Sequence, residues 1–261
     1  MEILNPDCNL NSFFESLRCA GHRALLLDYD GTLAPFQVDR EQALPYPGVK
    51  RLLSRLVANA NTRTVVISGR PVEDVKRLLQ LERLPEIWGS HGLERLIGGS
   101  EYEAIDLSPA AQTGLKAAQI WIEKEHLSQF AERKPSGFAF HWRGKSKEEA
   151  IRLRRKIEQK WLSEASRFGL IVREFDGGLE LRPAGITKGD AVRRIVSELG
   201  SGAPLAYLGD DLTDEDAFRA LEGRGLRVLV RSELRETAAD IWIKPPEELL
   251  EFLGRWLESG G

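Results

Sequence analysis

The chain has 261 residues, 42% of them hydrophobic and 30% charged, and a formal net charge of -3. That is enough apolar material for one large domain or a core plus a smaller one, and the charge balance lacks the basic field that nucleic-acid binding requires. Two cysteines, Cys8 and Cys19, make a disulfide scaffold or a metal site improbable and are expected to be reduced thiols.

The first twenty residues carry Asp7 and Glu15 and no long apolar run, which is not a signal peptide. No later stretch reaches membrane-spanning length, so a soluble, cytoplasmic protein with no membrane partner is expected. The short apolar run 24–27 ends abruptly in Asp28-Tyr29-Asp30-Gly31, as a strand buried on both faces would. Residues 49–57 have helical apolar spacing. Residues 64–67 form a second buried strand, ended by Ser68-Gly69-Arg70, and Pro71 stands where a helix can begin. Strand and helix in alternation predict a parallel sheet with right-handed crossovers.

The pattern changes after about Asp106. Residues 109–126 read as a helix, 138–143 as a strand and 147–164 as a basic amphipathic helix. Residues 170–175 and 179–182 read as two strands joined by the turn Asp176-Gly177-Gly178. Parallel-sheet grammar then resumes with strands at 205–208, 226–230 and 241–243 and a closing helix at 247–257. The chain is therefore expected to be an α/β protein with a discontinuous core, 1–107 and 184–261, and a smaller α+β module inserted at 108–183.

Ligands of open parallel sheets bind at the C-terminal ends of the strands. Here those ends carry Asp28 and Asp30, then Ser68, then Asp210 and Asp211. Clustered carboxylates repel one another unless a cation sits among them, and a hard oxygen site beside an expected phosphate suits Mg²⁺.

Asp28-Tyr29-Asp30-Gly31-Thr32-Leu33 resembles the first motif of the haloacid dehalogenase superfamily. Ser68 resembles its second motif, Lys188 in Thr187-Lys188-Gly189 its third, and Gly209-Asp210-Asp211-Leu212-Thr213-Asp214 its fourth. The resemblance implies a Rossmann-like core with an inserted cap. It also implies roles: Asp28 as the nucleophile, Asp30 as the acid and then the base, and Ser68 and Lys188 as ligands of the phosphoryl group. Mg²⁺ would be held by Asp28, Asp210 and the backbone carbonyl of Asp30. Asp211 and Asp214 would act at one remove from the metal or cap the following helix.

Further elements narrow the resemblance. Gly89-Ser90-His91-Gly92-Leu93-Glu94, Glu132-Arg133-Lys134, His141-Trp142-Arg143, Leu179-Glu180-Leu181-Arg182-Pro183 and the run from Asp210 to Phe218 are similar to elements of the trehalose-6-phosphate phosphatases, with Trp142 in place of their usual tyrosine. This implies a Mg²⁺-dependent enzyme of trehalose biosynthesis acting on a small sugar phosphate; a monomer is expected, although nothing in the sequence sets the oligomeric state. Glu132, Lys134, His141, Arg143 and Glu180 of the cap would hold the sugar, with Gly69 and Arg70 beside Ser68. The alternatives are another sugar-phosphate phosphatase of the superfamily, which the cap alone would distinguish, and a non-catalytic sugar-phosphate sensor.

Overall fold

The computed structural model describes residues 1–37, 39–175, 177–200 and 202–259. In chain order its first elements are β1 (Glu2–Ile3), α1 (Leu10–Cys19), β2 (Arg23–Leu27), α2 (Val49–Ala58), β3 (Thr62–Ile67), α3 (Val72–Leu79), β4 (Glu86–Gly89), β5 (Glu94–Ile97) and β6 (Glu101–Ala104). Next come α4 (Pro109–Lys124), β7 (Ala131–Lys134), β8 (Gly137–His141), α5 (Lys147–Glu164), β9 (Leu170–Phe175) and β10 (Gly178–Pro183). The chain closes with α6 (Lys188–Leu199), β11 (Leu205–Gly209), α7 (Glu215–Ala220), β12 (Leu226–Val230), β13 (Ile241–Ile243) and α8 (Glu247–Glu258). It divides into two compact units, Met1–Glu103 with Thr187–Gly261, and Ala104–Ile186.

The larger unit is built on one sheet in the order β1-β13-β12-β11-β2-β3-β4-β5-β6. The pairs from β13 across to β4 are parallel, whereas β1 with β13 and β4 with β5 are antiparallel. All five residues of β2 are buried. Leu25 and Leu27 enter one hydrophobic cluster, with residues of α1, α2, α3 and α8, while Ala24 and Leu26 enter another, with residues of α6 and α7. Burial on both faces is why this strand reads as an unbroken apolar run rather than an alternating one. The chain runs outward from β2 through β3 and β4, then restarts at β11 on the other side of β2. The strand order thus reverses between β2 and β11, the crevice where doubly wound sheets bind ligands.

The smaller unit carries a second sheet, β7-β8-β10-β9, with antiparallel pairing. Phe138, Phe140, Leu179 and Leu181 project from one face into a core with Leu115, Ile157 and Trp161. α5 begins at Ser146, whose side chain and that of Glu149 form a reciprocal capping box. The inserted module contains a strand, β7, that the sequence reading does not include. The hairpin β5–β6 also stands between the third parallel strand, β4, and the insertion. Of the expected turn Asp176-Gly177-Gly178, Asp176 lies outside the described residues. No helix among the described residues is long and apolar enough to cross a membrane.

Candidate active site

The switch point gathers the residues at the ends of β2, β3 and β11. Asp28 follows β2 directly, and its N–H continues the ladder to Leu208 at 2.8 Å. Its side chain points into a buried cluster. Lys188, the first residue of α6, donates from Nζ to Asp28 Oδ1 at 2.6 Å and to Asp214 Oδ1 at 2.7 Å. The Thr32 hydroxyl stands 3.4 Å from Asp28 Oδ2. Asp214 is saturated: Oδ1 also accepts from the Tyr207 hydroxyl, and Oδ2 accepts the N–H groups of Asp210 and Asp211 at 3.0 and 2.9 Å. Asp211 caps the 3-10 turn Leu212–Asp214, accepting from the N–H of Leu212 at 2.6 Å.

Asp210 differs from these. It is buried, yet neither of its carboxylate oxygens accepts a hydrogen bond from the described residues. Buried carboxylates left in this state are costly, and this cost invites a cation. Ligand atoms of Asp28, Asp210 and Asp214 all lie within 4.8 Å of one another. With Asp214 committed to Lys188, Tyr207 and two amides, Asp28 and Asp210 are the members with oxygens to offer. Electrostatics agree. Burial, and then the charge of Asp214, push the Asp28 carboxyl up to about 7 in spite of Lys188. Burial, with Asp28 and Asp214 next to it, holds Asp210 well above the usual carboxylate range. Burial acts to lower Lys188, but Asp214 and Asp28 outweigh it and the ammonium is held charged. Lys188 bonds only two of the three carboxylates, Arg231 comes no nearer than 3.9 Å to the Asp210 carboxylate in the ion pair it makes, and a metal ion fits the cluster.

Gly31 closes the cradle. Its φ is +82°, and a Cβ there would lie 2.2 Å from Asp210 Oδ2, so the turn after β2 needs a residue with no side chain. On the next strand end Ser68 is fully buried, and its Oγ accepts the N–H of Arg70 at 3.1 Å. That bond uses the oxygen as acceptor and leaves the O–H to donate. Gly69 lies under the His91 ring, which a Cβ would meet at 2.8 Å. Arg70 forms a bidentate pair with Asp30, both contacts at 2.7 Å, and donates to the Arg40 carbonyl at 3.0 Å. Arg70 therefore fixes the direction of the Asp30 carboxylate.

The positions expected to read a sugar lie in the smaller unit, where strand register explains their grouping. Glu132 and Glu180 both stand opposite Ala139. Alternation places Glu132, Lys134, His141, Glu180 and Arg182 on the sheet face opposite the hydrophobic core. Ala139, Gly137 and Gly178 between them leave that face open to long side chains. Lys134 Nζ donates to Glu180 Oε1 at 3.0 Å, both side chains being nearly fully buried, and Arg182 Nε lies 3.6 Å from Glu180 Oε2. His141 Nε2 and Glu132 Oε2 are 2.8 Å apart. Arg143 is half-buried beside Gly177. Arg182 and Tyr207 are absent from the sequence-based set. Arg182 sits two residues from Glu180 along β10, so strand parity alone was a usable signal for it, whereas Tyr207, on β11, lies three residues before Asp210.

A family model described as Trehalose-phosphatase matches residues 26–240. The chain is 32% identical over 246 residues to the trehalose-phosphate phosphatase of Mycobacterium marinum, covering 89% of this chain and 60% of that protein. It is 31% identical over 263 residues to the probable trehalose-phosphate phosphatase H of Arabidopsis thaliana, covering 90% of this chain and 71% of that one. It thus spans less than two thirds of the mycobacterial relative's length. In fold it resembles the C-terminal domain of the Candida albicans trehalose-6-phosphate phosphatase, with a TM-score of 0.83, 22% identity and 99% of both chains covered. A match that takes in the strand ends carrying Asp28, Ser68 and Asp210, and also the sheet carrying Glu132 and Glu180, places the chain in the trehalose-phosphatase family.

Proposed function

We propose that this chain is a Mg²⁺-dependent phosphatase that hydrolyses trehalose 6-phosphate to trehalose and phosphate. The observation that carries the reading is the buried Asp28–Lys188–Asp214 array beside an Asp210 carboxylate that accepts no hydrogen bond among the described residues. It provides a nucleophile, a fixed cation and an oxygen ligand at one strand-end crevice. Family membership and the polar sheet face of the smaller unit support a sugar phosphate as substrate, and the relatives' names point to trehalose 6-phosphate.

In this reading an Asp28 carboxylate oxygen attacks phosphorus, and the bond from phosphorus to the sugar oxygen breaks. Asp30, protonated at this stage, gives that oxygen its proton and becomes the carboxylate. Asp30 then takes a proton from water, whose oxygen attacks the phosphorus of the aspartyl phosphate and releases phosphate and free Asp28. Arg70 keeps the Asp30 carboxylate pointed for both transfers. Lys188 balances charge on Asp28 and the phosphoryl group, and the Ser68 O–H donates to a phosphoryl oxygen. Asp28, Asp210 and the main-chain carbonyl of Asp30 would hold Mg²⁺, which supplies the positive charge that lets an anionic ester approach ionised carboxylates. Glu132, Lys134, His141, Arg143 and Glu180 read the sugar hydroxyls.

The test is phosphate release from trehalose 6-phosphate, sucrose 6-phosphate and glucose 6-phosphate, with Mg²⁺ and with EDTA. The reading expects strong preference for trehalose 6-phosphate and no turnover in chelator. Preference for another sugar phosphate would overturn the substrate, and full activity in chelator the metal.

A further inference from the structure

Arg235 stands in the loop between β12 and β13, outside every motif that the sequence brings to notice. Each of its three guanidinium nitrogens donates a hydrogen bond. Nε donates to the main-chain carbonyl of Asp210 at 3.1 Å, and one terminal nitrogen donates to the carbonyl of Asp211 at 2.8 Å. The other donates to the carbonyl of Glu236 at 2.8 Å and to the carboxylate of Glu215 at 2.5 Å. Glu215 is buried and also accepts from the Thr237 hydroxyl at 2.8 Å and the Ala238 N–H at 2.9 Å. Arg235 and Glu215 thus staple this loop to the turn that carries Asp210.

The consequence concerns how Asp210 is aimed. Its side chain accepts no hydrogen bond among the described residues, and a guanidinium nitrogen of Arg231 lies 3.9 Å from Oδ2. The main chain therefore does the aiming. The Asp210 N–H is tied to Asp214 at 3.0 Å, and its carbonyl accepts from Arg235 at 3.1 Å and, more weakly, from Arg231 at 3.5 Å. One peptide on each side of the residue is thereby fixed, which holds a carboxylate ready for a ligand without occupying its oxygens.

We propose that Arg235 is a positioning residue for the cation site: its planar fork across the Asp210 and Asp211 carbonyls orients Asp210, and Glu215 holds the fork in place. The inference rests on the reading of Asp28 and Asp210 as cation ligands. Charge and geometry make opposite demands here. A positive charge close to the site opposes a cation, so if charge were all that mattered, removing it would tighten binding. The fork acts the other way, and a lysine keeps the charge while losing the bidentate geometry.

The experiment is a Mn²⁺ titration of the substrate-free protein, followed by the electron paramagnetic resonance signal of the free ion, with thermal unfolding alongside. Residues that orient metal ligands are worth about 10–100-fold in affinity. Arg235→Lys is therefore expected to weaken Mn²⁺ binding about tenfold or more while the metal-free melting temperature stays near wild type. Glu215→Gln, which leaves the guanidinium but loosens its anchor, is expected to weaken binding in the same direction, and the double variant to be no weaker than Arg235→Lys alone. Unchanged or tighter binding in both single variants would overturn the inference, as would a loss of affinity that merely tracks a loss of fold. Asp210→Asn separates the two layers. Wild-type protein that takes up no Mn²⁺, or Asp210→Asn that binds as well as wild type, would overturn the cation-site reading and this inference with it.

Discussion

Replacing Gly31 by alanine should dissociate stability from activity, and the structure sets both magnitudes. The new Cβ would stand 2.2 Å from Asp210 Oδ2, against 3.4 Å or more for ordinary contact, so the carboxylate must withdraw by about 1.2 Å. The far end of a side chain can do this by rotating, so the fold survives. The Phe36 ring, whose Cε2 would stand 2.7 Å from the new Cβ, must give way as well, and the left-handed backbone at φ +82° costs about 1–2 kcal/mol for a residue with a Cβ. In a chain of this size that is a fall of about 2–4 °C in melting temperature per kcal/mol. Function has no such latitude. Misplacing a group by about 1 Å at a reacting centre costs on the order of a hundredfold in rate, and Asp210 would also be turned from its ligand. The assay is Mg²⁺-dependent phosphate release from trehalose 6-phosphate beside a thermal unfolding curve. A variant that melts a few degrees lower yet turns over on the order of a hundredfold more slowly, with a raised Mg²⁺ requirement, is the expected result. Turnover within about threefold of wild type would refute the reasoning, because the packing of Asp210 against Gly31 would then be irrelevant to the chemistry.

Other outcomes follow from the same cluster and from the second sheet. Lys188→Met leaves Asp28 and Asp214 buried without their shared cation, which should cost about 3–5 kcal/mol in urea unfolding of the metal-free protein and abolish turnover. Glu180→Gln keeps the shape facing buried Lys134, and should cut turnover of trehalose 6-phosphate by at least about a hundredfold while leaving p-nitrophenyl phosphate much less affected; equal losses on both would indicate a folding defect. The folded Asp28 carboxyl, raised from 3.8 to about 7, binds its proton more tightly than the unfolded chain does. Metal-free stability should therefore fall as pH rises between about 4 and 7, with a flatter slope in Asp28→Asn. An unchanged slope in that variant would contradict the burial argument.

The parts of this molecule legible in its sequence are those where one physical demand dominates. A strand buried on both faces must be apolar throughout, so 24–27 announced β2, and the polar residues that interrupt it had to lie at its end. Likewise α5 begins where a serine and a glutamate can cap it, and its observed limits, Lys147–Glu164, are those of the periodic pattern. Elements that depend on partners were harder to see. β7, with sequence AERK, has one apolar residue and exists because β8 supplies its ladder. α1 shows helical spacing in Leu10, Phe13, Phe14 and Leu17, but its reason for being is packing on α8, where Phe14 meets Phe252 and Phe13 meets Trp256. The strand-end acids were visible because carboxylates at such positions are conspicuous. The direction of a guanidinium is not written in any spacing, so the Arg70–Asp30 pair emerged only from three dimensions. The staple from Arg235 was hidden for a similar reason, since 25 positions separate it from the carbonyl it holds.

The claim on which the rest depends is that Asp28 carries the phosphoryl group, and trapping that group tests it most directly. Protein mixed briefly with phosphorus-labelled trehalose 6-phosphate and Mg²⁺, quenched in acid and digested, should yield a labelled peptide containing Asp28. The linkage should be stable in acid and cleaved by mild alkali, as an acyl phosphate is. Asp28→Asn should yield no label and no turnover. Turnover without any labelled protein, or label on a residue other than Asp28, would contradict the account.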